Sequence, residues 1–474
     1  MPDLPSGTPE PTDNHSGRSA GTAHHPYGVR RFPSASSTDG DRSRACTDKS
    51  DKLATRSTFF LMDKGEQSMN ISRKVRTVGA ATVTLAATLA AFGVQVAPSA
   101  SAAPMGITAT SFNRNFTTMA LLKPIVAKGS GGITAILPDT VSSTRYVEFD
   151  APFLNEAMQK AGLPPTDIYV ENADGSDATE LAMDEAAVTA GDKVVIMDPL
   201  DSGVGAKIES YNAAHGVATI DYDRLTLGGQ RKYYDSFNNV VVGTLLGNGL
   251  VSCITSWGVS KPVVLVMHGA DTDNNATLFA DGYDAVLQPY FSSGKYTLVG
   301  KLQPNEVPAG TWTPSQALSE FQGIYTSHSD INAVLTPNDE NAAPIIHYLV
   351  TSKGLKPHTL PFTGQDATLQ GLANVLLGYQ CGTVYKPIYL EAQAAVALAV
   401  YARAHMTPPA ALLNGKTLDS VEHKEVSSVL LSPEWVTAKN MGSTVIADNF
   451  VPASTLCASP YATASACKAA GINP

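Results

Sequence analysis

From about residue 131 the chain alternates short apolar runs with amphipathic stretches. The first three pairs are "ITAILPD" with "EFDAPFLNEAMQKAG", "DIYVENAD" with "DATELAMDEAAVTAG", and "KVVIMDP" with "GAKIESYNAAHG". Each apolar run is typical of a strand buried on both faces, and each amphipathic stretch ends near a glycine that can cap a helix. The alternation predicts a doubly wound α/β fold.

The alternation begins again in the second half of the chain, after "ATIDYDRL" and a helix-like "VVGTLLGNGLVSCITSWG". The later apolar runs are "PVVLVMHGADTD", "YTLVGKL", "INAVLTPND", "LPFTGQD" and "GTVYKP". Two groups of such units are too many for one small sheet, so we predict two lobes, each with a mostly parallel sheet flanked by helices.

Charged residues stand where the apolar runs stop: Asp139, Asp198, Asp223, Asp273, Asp339, Asp366 and Lys386. Ligands of open α/β sheets bind outside the carboxyl ends of the strands, so we predict that these residues face one crevice. The alternative, at any single position, is that the residue only caps the next helix.

Lys386 is unusual because it follows a run, "GTVY", that reads as a buried strand. Removing an ammonium group from water is costly unless the charge is paired or hydrogen-bonded. Lys386 therefore either reaches solvent at the end of the strand or meets carboxylates in the crevice.

Composition narrows the class of protein. With 474 residues, 43% of them hydrophobic and 16% charged, the chain has ample core-forming material and is expected to form two or three domains. A net charge of -10 provides no general basic surface for nucleic acid. Residues 1–68 show neither hydrophobic periodicity nor aromatic clusters, and we expect a disordered extension that is not part of the true product.

Residues 69–102 have the layout of a secretory signal peptide. Arg73, Lys74 and Arg76 precede an apolar stretch, and a run of small residues ends at Ala102. A signal works at the start of a chain, so we expect Met69 to be the true start. The alternative is a real extension before a single membrane anchor. No cysteine adjoins the cleavage site, so no lipid anchor is indicated.

Cleavage after Ala102 predicts a mature, exported protein that begins at Ala103. Mass spectrometry of the protein recovered from the culture medium measures this directly. Recovery of exported protein that still carries residues 1–68 would contradict the prediction.

The chain has five cysteines. Cys46 lies in the extension, whereas Cys457 and Cys467 flank a short loop in an exported protein and are expected to form a disulfide. Cys253 and Cys381 are isolated in sequence, and we interpret them as buried thiols. No Cys/His set has metal-ligand spacing, and no cofactor is expected.

Several motifs resemble those of D-xylose-binding proteins, the solute receptors of ABC sugar importers. They are "DYDRL", "YYDSFNNVVVG", "DTDNNATLFADGYDAVLQPY", "TPNDENAAPI", "GQDATLQGL" and "TVYKPI", in the order of that family. The resemblance spans roughly residues 105–450. It implies the two-lobed type I periplasmic binding protein fold, with a hinge of several strands. The implied lobes are residues 103–252 with 387–408, and residues 253–386 with 409–450, followed by a tail at 451–474.

The resemblance also implies a set of sugar-binding residues: Arg145, Tyr146, Arg224, Asp273, Asn275, Trp312, Asn338, Asp366 and Lys386. Their chemistry suits a sugar, because each hydroxyl both donates and accepts, and this set offers both kinds of partner. Aromatic rings provide flat partners for the apolar face of a sugar ring. Each assignment has an alternative. Trp312 could pack under a loop, Asp273 or Asn275 could cap a helix, and Arg224 could form a structural ion pair.

This sequence departs from the family pattern in three places. "ENAAPIIHYL" follows the "ND" motif where relatives usually carry small residues, and "SFNN" replaces the commoner "SFDN". We expect these two changes to affect helix packing only. Tyr146 stands where many relatives have Trp, which alters a stacking surface.

The resemblance implies a monomeric, exported binding protein that captures a monosaccharide, D-xylose first, and delivers it to an ABC permease. One alternative is a sugar sensor that docks on a chemoreceptor or membrane kinase. A glycoside hydrolase using Asp273 and Asp366 is another, but nothing marks either acid as a proton donor. A sugar-responsive repressor is disfavoured by the export signal and the lack of a basic helix-turn-helix segment.

Overall fold

A computed structural model describes residues 106–300, 310–458, 460 and 463–474. The extension and the signal segment named above lie outside the described residues. Twelve strands are present in this part of the chain: β1 Ile133–Leu137, β2 Ile168–Asn172, β3 Val194–Met197, β4 Ala218–Tyr222, β5 Tyr233–Phe237, β6 Val263–Val266, β7 Thr297–Val299, β8 Ala333–Leu335, β9 Thr383–Tyr385, β10 Gly415–Asp419, β11 Lys424–Leu431 and β12 Glu434–Val436.

Twelve α-helices accompany these strands within the described residues. They are α1 Lys123–Val126, α2 Ala151–Ala161, α3 Asp177–Ala190, α4 Ser202–Ala214, α5 Asn239–Ser256, α6 Asn274–Ser292, α7 Pro314–Ser327, α8 Asp339–Lys353, α9 Leu369–Leu376, α10 Ile388–Arg403, α11 Ala453–Cys457 and α12 Ala464–Ala469. The α/β alternation predicted from the sequence is confirmed. The predicted glycine caps follow α2 and α3, where Gly162 and Gly191 adopt left-handed backbone at φ 89° and 92°.

The N-terminal lobe is built on a seven-stranded sheet in the order β10-β11-β5-β4-β3-β1-β2. Strands β1 to β5 run parallel, and every residue of β1, β3 and β5 is buried. Burial on both faces explains the continuous apolar runs in the sequence. Helix α10 packs on α2 and on β3, β4 and β5, and nearly all of its residues are buried.

The C-terminal lobe has a smaller sheet in which β7, β6 and β8 are parallel. Single parallel bridges, Val334 to Phe362 and Gln365 to Val384, connect β8 through the segment before α9 to β9, which pairs with β12. Helix α5 is long and apolar enough to cross a membrane by composition, but half of it is buried and it packs against α6. We therefore interpret α5 as a core helix of this lobe.

The structure corrects the predicted lobe boundaries in two places. Strands β10 and β11 were expected in the C-terminal lobe, but β11 pairs in parallel with β5 and extends the N-terminal sheet. Helix α5, most of which was assigned to the N-terminal lobe, packs in the other lobe. Each correction has the same cause. The chain crosses between the lobes after β5, after β9 and after β11, and the free edge of β5 is completed by a strand that is distant in sequence.

Both pairs of described cysteines form disulfides. Cys457 joins Cys467 with a Cα–Cα distance of 5.9 Å. The interpretation of Cys253 and Cys381 as free thiols is wrong, because they are bonded with a Cα–Cα distance of 6.1 Å. This bond ties the end of α5 to the segment before β9, two elements that only the fold brings together.

The two disulfides are predicted to differ in their contribution to stability. Cys253 and Cys381 are 128 residues apart, whereas Cys457 and Cys467 are 10 apart. A longer closed loop removes more entropy from the unfolded chain, and the chain-entropy model gives a difference of about 2 kcal/mol. Urea unfolding of the two double Cys→Ala variants should show the larger loss for Cys253/Cys381. Equal losses would contradict this ranking.

Candidate functional site

All nine residues expected to bind a sugar line a single pocket between the lobes, with an empty volume of about 320 Å³. Except for Trp312, each of these residues is at most 6% exposed. Such burial places the two lobes in a closed arrangement. The pocket is also lined by five residues outside the predicted set: Ser142, Ser143, Asp223, Phe279 and Gln365.

The N-terminal lobe contributes residues from the loops that follow two of its parallel strands. Arg145 and Tyr146 follow β1, and Asp223 and Arg224 follow β4. The carboxyl ends of these strands meet at one edge of the sheet, which is where ligands of such sheets bind. Asp223 has a left-handed backbone with φ 56°, a conformation that non-glycine residues adopt rarely and that is common at binding sites.

The C-terminal lobe contributes residues from the starts of its helices. Asp273 is the N-cap of α6 and accepts from the backbone N–H of Asn275, and Asn338 is the N-cap of α8 and accepts from that of Asn341. Capping and pocket lining thus coincide, because the N-termini of these helices point toward the crevice. Asp366 precedes α9 with φ 86°, and Lys386 follows β9.

Lys386 meets carboxylates, as the sequence predicted for a lysine in the crevice. Its Nζ lies 3.1 Å from Asp366 Oδ1 and 3.5 Å from Asp223 Oδ1, and the side chain is 3% exposed. Burial alone would lower the pKa of Lys386, but Asp223 and Asp366 raise it above its usual value. The ammonium group therefore stays charged without water and can donate into the pocket.

Arg145 anchors a group of buried charges. Its guanidinium donates to Asp150, Asp223 and Glu391 at distances of 2.7 to 2.9 Å. Burial alone would raise the pKa of Asp223, but Arg145, Lys386 and Arg224 together lower it to about 2. Burial raises the pKa of Glu391 to about 8, against the opposing effect of Arg145.

Arg224 connects the two lobes. Its Nε lies 3.2 Å from Asp273 Oδ2 of the C-terminal lobe and 3.5 Å from Asp198 Oδ1 of its own lobe. It also donates to the Tyr146 hydroxyl at 3.0 Å and lies over the Tyr146 ring. The ion pair that was an alternative role for Arg224 is therefore present, and it lies within the pocket.

An aromatic wall stands on the side of the C-terminal lobe. Trp312 donates from Nε1 to Asp273 Oδ2 at 3.0 Å, and its ring meets Phe279 edge-on with centroids 6.4 Å apart. Gly269 permits this placement, because a Cβ there would lie 2.2 Å from the Trp312 ring. Trp312 is partly exposed and offers a flat apolar surface to a ligand.

The strand-end residues predicted to share one crevice do so only in part. Asp223, Asp273, Asp366 and Lys386 line the pocket. Asp139 instead accepts from the N–H groups of Val141 and Ser142 in its own loop. Asp198 lies behind Arg224.

Asp339 is fully buried and is bonded to residues of its own lobe. Its carboxylate accepts from Thr368, Gln380 and Thr383. Burial raises the pKa of Asp339 to about 7. The carboxylate thus joins α8 to the start of α9 and to β9, rather than facing the pocket.

Sequence reasoning missed Asp150 and Glu391, which orient Arg145. Both lie inside or beside helical stretches, and neither carried a signal beyond being an acid in an apolar surrounding. Asp223 did carry a signal, because it ends a buried strand and directly precedes Arg224. It was placed in the crevice but not among the ligand residues.

The pocket offers donors and acceptors of opposite charge in alternation. Arg145, Arg224 and Lys386 donate, and Asp223, Asp273 and Asp366 accept, while Asn275 and Asn338 can do both. Because the charges are paired with each other, the pocket suits a neutral ligand with many hydroxyl groups. These features define a two-lobed binding protein that encloses a small polar ligand.

Comparison with known proteins agrees with this class. The family described as "Periplasmic binding protein domain" matches residues 134–404. The D-xylose-binding periplasmic protein of Escherichia coli is 32% identical over 296 residues, covering 62% of this chain and 84% of that protein. The multiple sugar-binding periplasmic receptor ChvE of Rhizobium radiobacter is 28% identical over 341 residues, covering 70% of this chain and 94% of that protein.

Solved structures show the same fold. A carbohydrate transporter solute-binding protein from Chloroflexus aurantiacus in complex with D-glucose is 25% identical with a TM-score of 0.60, covering 68% of this chain and 97% of that one. An ABC transporter solute-binding protein from Clostridium phytofermentans with bound β-D-glucose is 24% identical, also with a TM-score of 0.60, covering 68% and 98%.

The chain belongs to the periplasmic binding protein family, and its type I fold and the resemblance to D-xylose-binding proteins noted from the sequence are confirmed. The relatives are binding proteins of sugar transport, not enzymes. Asp273 and Asp366 form ion pairs with Arg224 and Lys386, respectively.

Proposed function

We propose that this protein captures a monosaccharide between its lobes and presents it to an ABC permease, with D-xylose as the sugar. The observation that carries the proposal is the pocket itself, which all nine expected residues, from both lobes, line together. Hydrogen bonds to ionised groups are roughly twice as strong as neutral ones, so this lining can fix the position of each hydroxyl.

The choice of D-xylose rests on the relatives. The curated proteins from Escherichia coli and Haemophilus influenzae that this chain resembles at 32% and 30% identity are both D-xylose-binding proteins. ChvE is a multiple sugar-binding receptor, and the two solved structures described above hold D-glucose. Tyr146, in place of Trp, is the residue at which we expect any difference in preference to arise.

The proposal includes export and a membrane partner. The named relatives are periplasmic proteins, and we propose that residues 69–102 direct this chain across the membrane in the same way. A closed lobe arrangement creates a surface that the open form lacks, and we propose that a permease recognises this closed surface. The protein is proposed to act as a monomer.

Titration calorimetry is expected to show binding of D-xylose, with D-glucose, D-ribose and myo-inositol as comparison ligands. Binding should also change the fluorescence of Trp312, which lines the pocket, whereas Trp257 and Trp435 do not. Trp312→Phe should retain an aromatic wall yet lose the signal. If neither D-xylose, D-glucose nor D-ribose binds the wild-type protein, or if myo-inositol is preferred, the proposed function is wrong. Preference for D-glucose or D-ribose would reject only D-xylose as the sugar.

A further inference from the structure

Glu340 connects the two lobes without lining the sugar pocket. It is the second residue of α8, two positions after the pocket residue Asn338. Its Oε1 accepts from Ser143 Oγ and from the backbone N–H of Thr144, each at 3.0 Å. Ser143 and Thr144 belong to the N-terminal lobe, so these bonds cross the cleft. We call Glu340, Ser143 and Thr144 the latch.

The latch acts on a loop that is already ordered. Asp139 accepts from the N–H groups of Val141 and Ser142 at 2.7 and 2.6 Å, which fixes the start of this loop. Arg145 and Tyr146 come directly after Thr144 and line the pocket. A bond to Thr144 therefore holds the sugar-facing residues of one lobe against those of the other.

Glu340 lies in the stretch in which this sequence departs from the pattern of the family. The departure was expected to affect helix packing only, but Glu340 contacts the opposite lobe instead. Its side chain is long enough to reach Ser143 and Thr144 of that lobe.

The buried position of Glu340 disfavours its ionised form. Its second oxygen, Oε2, is buried and has no hydrogen-bond partner among the described residues. Burial first, and then the nearby carboxylates of Asp366 and Asp339, raise the pKa of Glu340 to about 8. Ser143 and Thr144, which face it from the other lobe, are uncharged. Closure is therefore expected to favour the protonated form of Glu340.

We infer that Glu340 is a positioning residue that stabilises the sugar-closed form through Ser143 and Thr144 and so slows release of the sugar. The inference rests on the proposed function, since it concerns closure of the same site. Bonds that exist only in the closed form bias the equilibrium toward it, and a ligand held between the lobes then dissociates more slowly.

Stopped-flow measurement of sugar release tests this. Glu340→Ala should raise the dissociation rate constant for D-xylose by roughly 10- to 30-fold, the value for two bonds of ordinary net strength, with little change in the association rate. Glu185→Ala, an exposed glutamate on α3, is the matched control and should release sugar like the wild type.

Two further readouts separate a latch from a general loss of structure. Ser143→Ala should raise the rate of sugar release less in the Glu340→Ala background than in the wild type, because the two residues share one interaction. Glu340→Gln keeps an acceptor oxygen but cannot ionise. Burial is the first cause of the raised pKa of Glu340, so the part of the burial that closure adds stabilises the closed form at low pH, and this contribution is lost as the pH rises through about 8. Wild-type affinity should therefore fall relative to Glu340→Gln between pH 5 and pH 8.

Failure of the latch can be distinguished from failure of the proposed sugar-binding function. Release from Glu340→Ala at the wild-type rate would overturn the latch while leaving sugar binding intact. If the wild type binds no monosaccharide, hydrogen–deuterium exchange of the Thr144 amide still tests whether the latch forms. Protection in the wild type that is lost in Glu340→Ala supports the latch, and equal exchange in both overturns it.

Discussion

Replacing Lys386 by methionine should weaken binding of D-xylose by roughly 10- to 150-fold, or about 1.5 to 3 kcal/mol. Methionine keeps much of the buried stem but removes the donor, and it leaves Asp366 and Asp223 without the cation that lies 3.1 and 3.5 Å away. The lost interactions are a bond to the sugar and the neutralisation of two buried acids. Calorimetric titration of the variant measures the effect.

Lys439→Met is the matched control for this substitution, because Lys439 is exposed and lies away from the cleft. It should bind D-xylose with wild-type affinity. Asp366→Ala should weaken binding to a similar degree as Lys386→Met, and the two effects should not add because the residues are in contact. Unchanged affinity in Lys386→Met would show that this lysine only balances charge and does not touch the sugar.

The sequence predicted most individual strands and helices of the fold, but it predicted less well which sheet each strand joins. Hydrophobic periodicity identified runs that contain β1 to β4 and β6 to β9, because this signal depends on near neighbours in the chain, whereas β5 lay in no predicted run. The return of β10 and β11 to the first sheet was missed. Pairing of β11 with β5 joins residues almost two hundred positions apart, and no local pattern specifies which sheet edge a strand will complete.

The residues that line the pocket were predicted more fully than the connections between the sheets. Arg224, Asp273 and Lys386 each adjoin a strand end or a helix start, where the topology of the sheet directs polar groups toward one crevice. Glu391 gave no such signal, since it becomes a partner of Arg145 only when α10 packs beneath the loop after β1. The bond between Cys253 and Cys381 was hidden for the same reason.

Asp223 was placed in the crevice from the sequence, but its ion pairs with Arg145 and Lys386 were not foreseen. Replacing it gives the prediction with the largest effect on stability. Its Oδ1 lies 2.9 Å from Arg145 Nη1 and 3.5 Å from Lys386 Nζ, and it is 4% exposed. Asp223→Asn preserves the shape but leaves both cations without this charge. Breaking a buried ion pair by removing one partner costs about 3 to 5 kcal/mol, and we expect a loss of that size in the free energy of unfolding at pH 7.

The pH dependence of this loss has a defined sign. A carboxyl whose pKa is lowered to about 2 in the folded protein contributes stability that is present above its ordinary value of 3.8 and disappears as the pH falls through 2. The difference between wild type and Asp223→Asn should therefore narrow by about 1 kcal/mol between pH 5 and pH 3. Urea unfolding at both pH values measures it, with the exposed Asp330→Asn as the control. A difference that stays constant or widens on acidification would mean that Asp223 is not held ionised by Arg145 and Lys386.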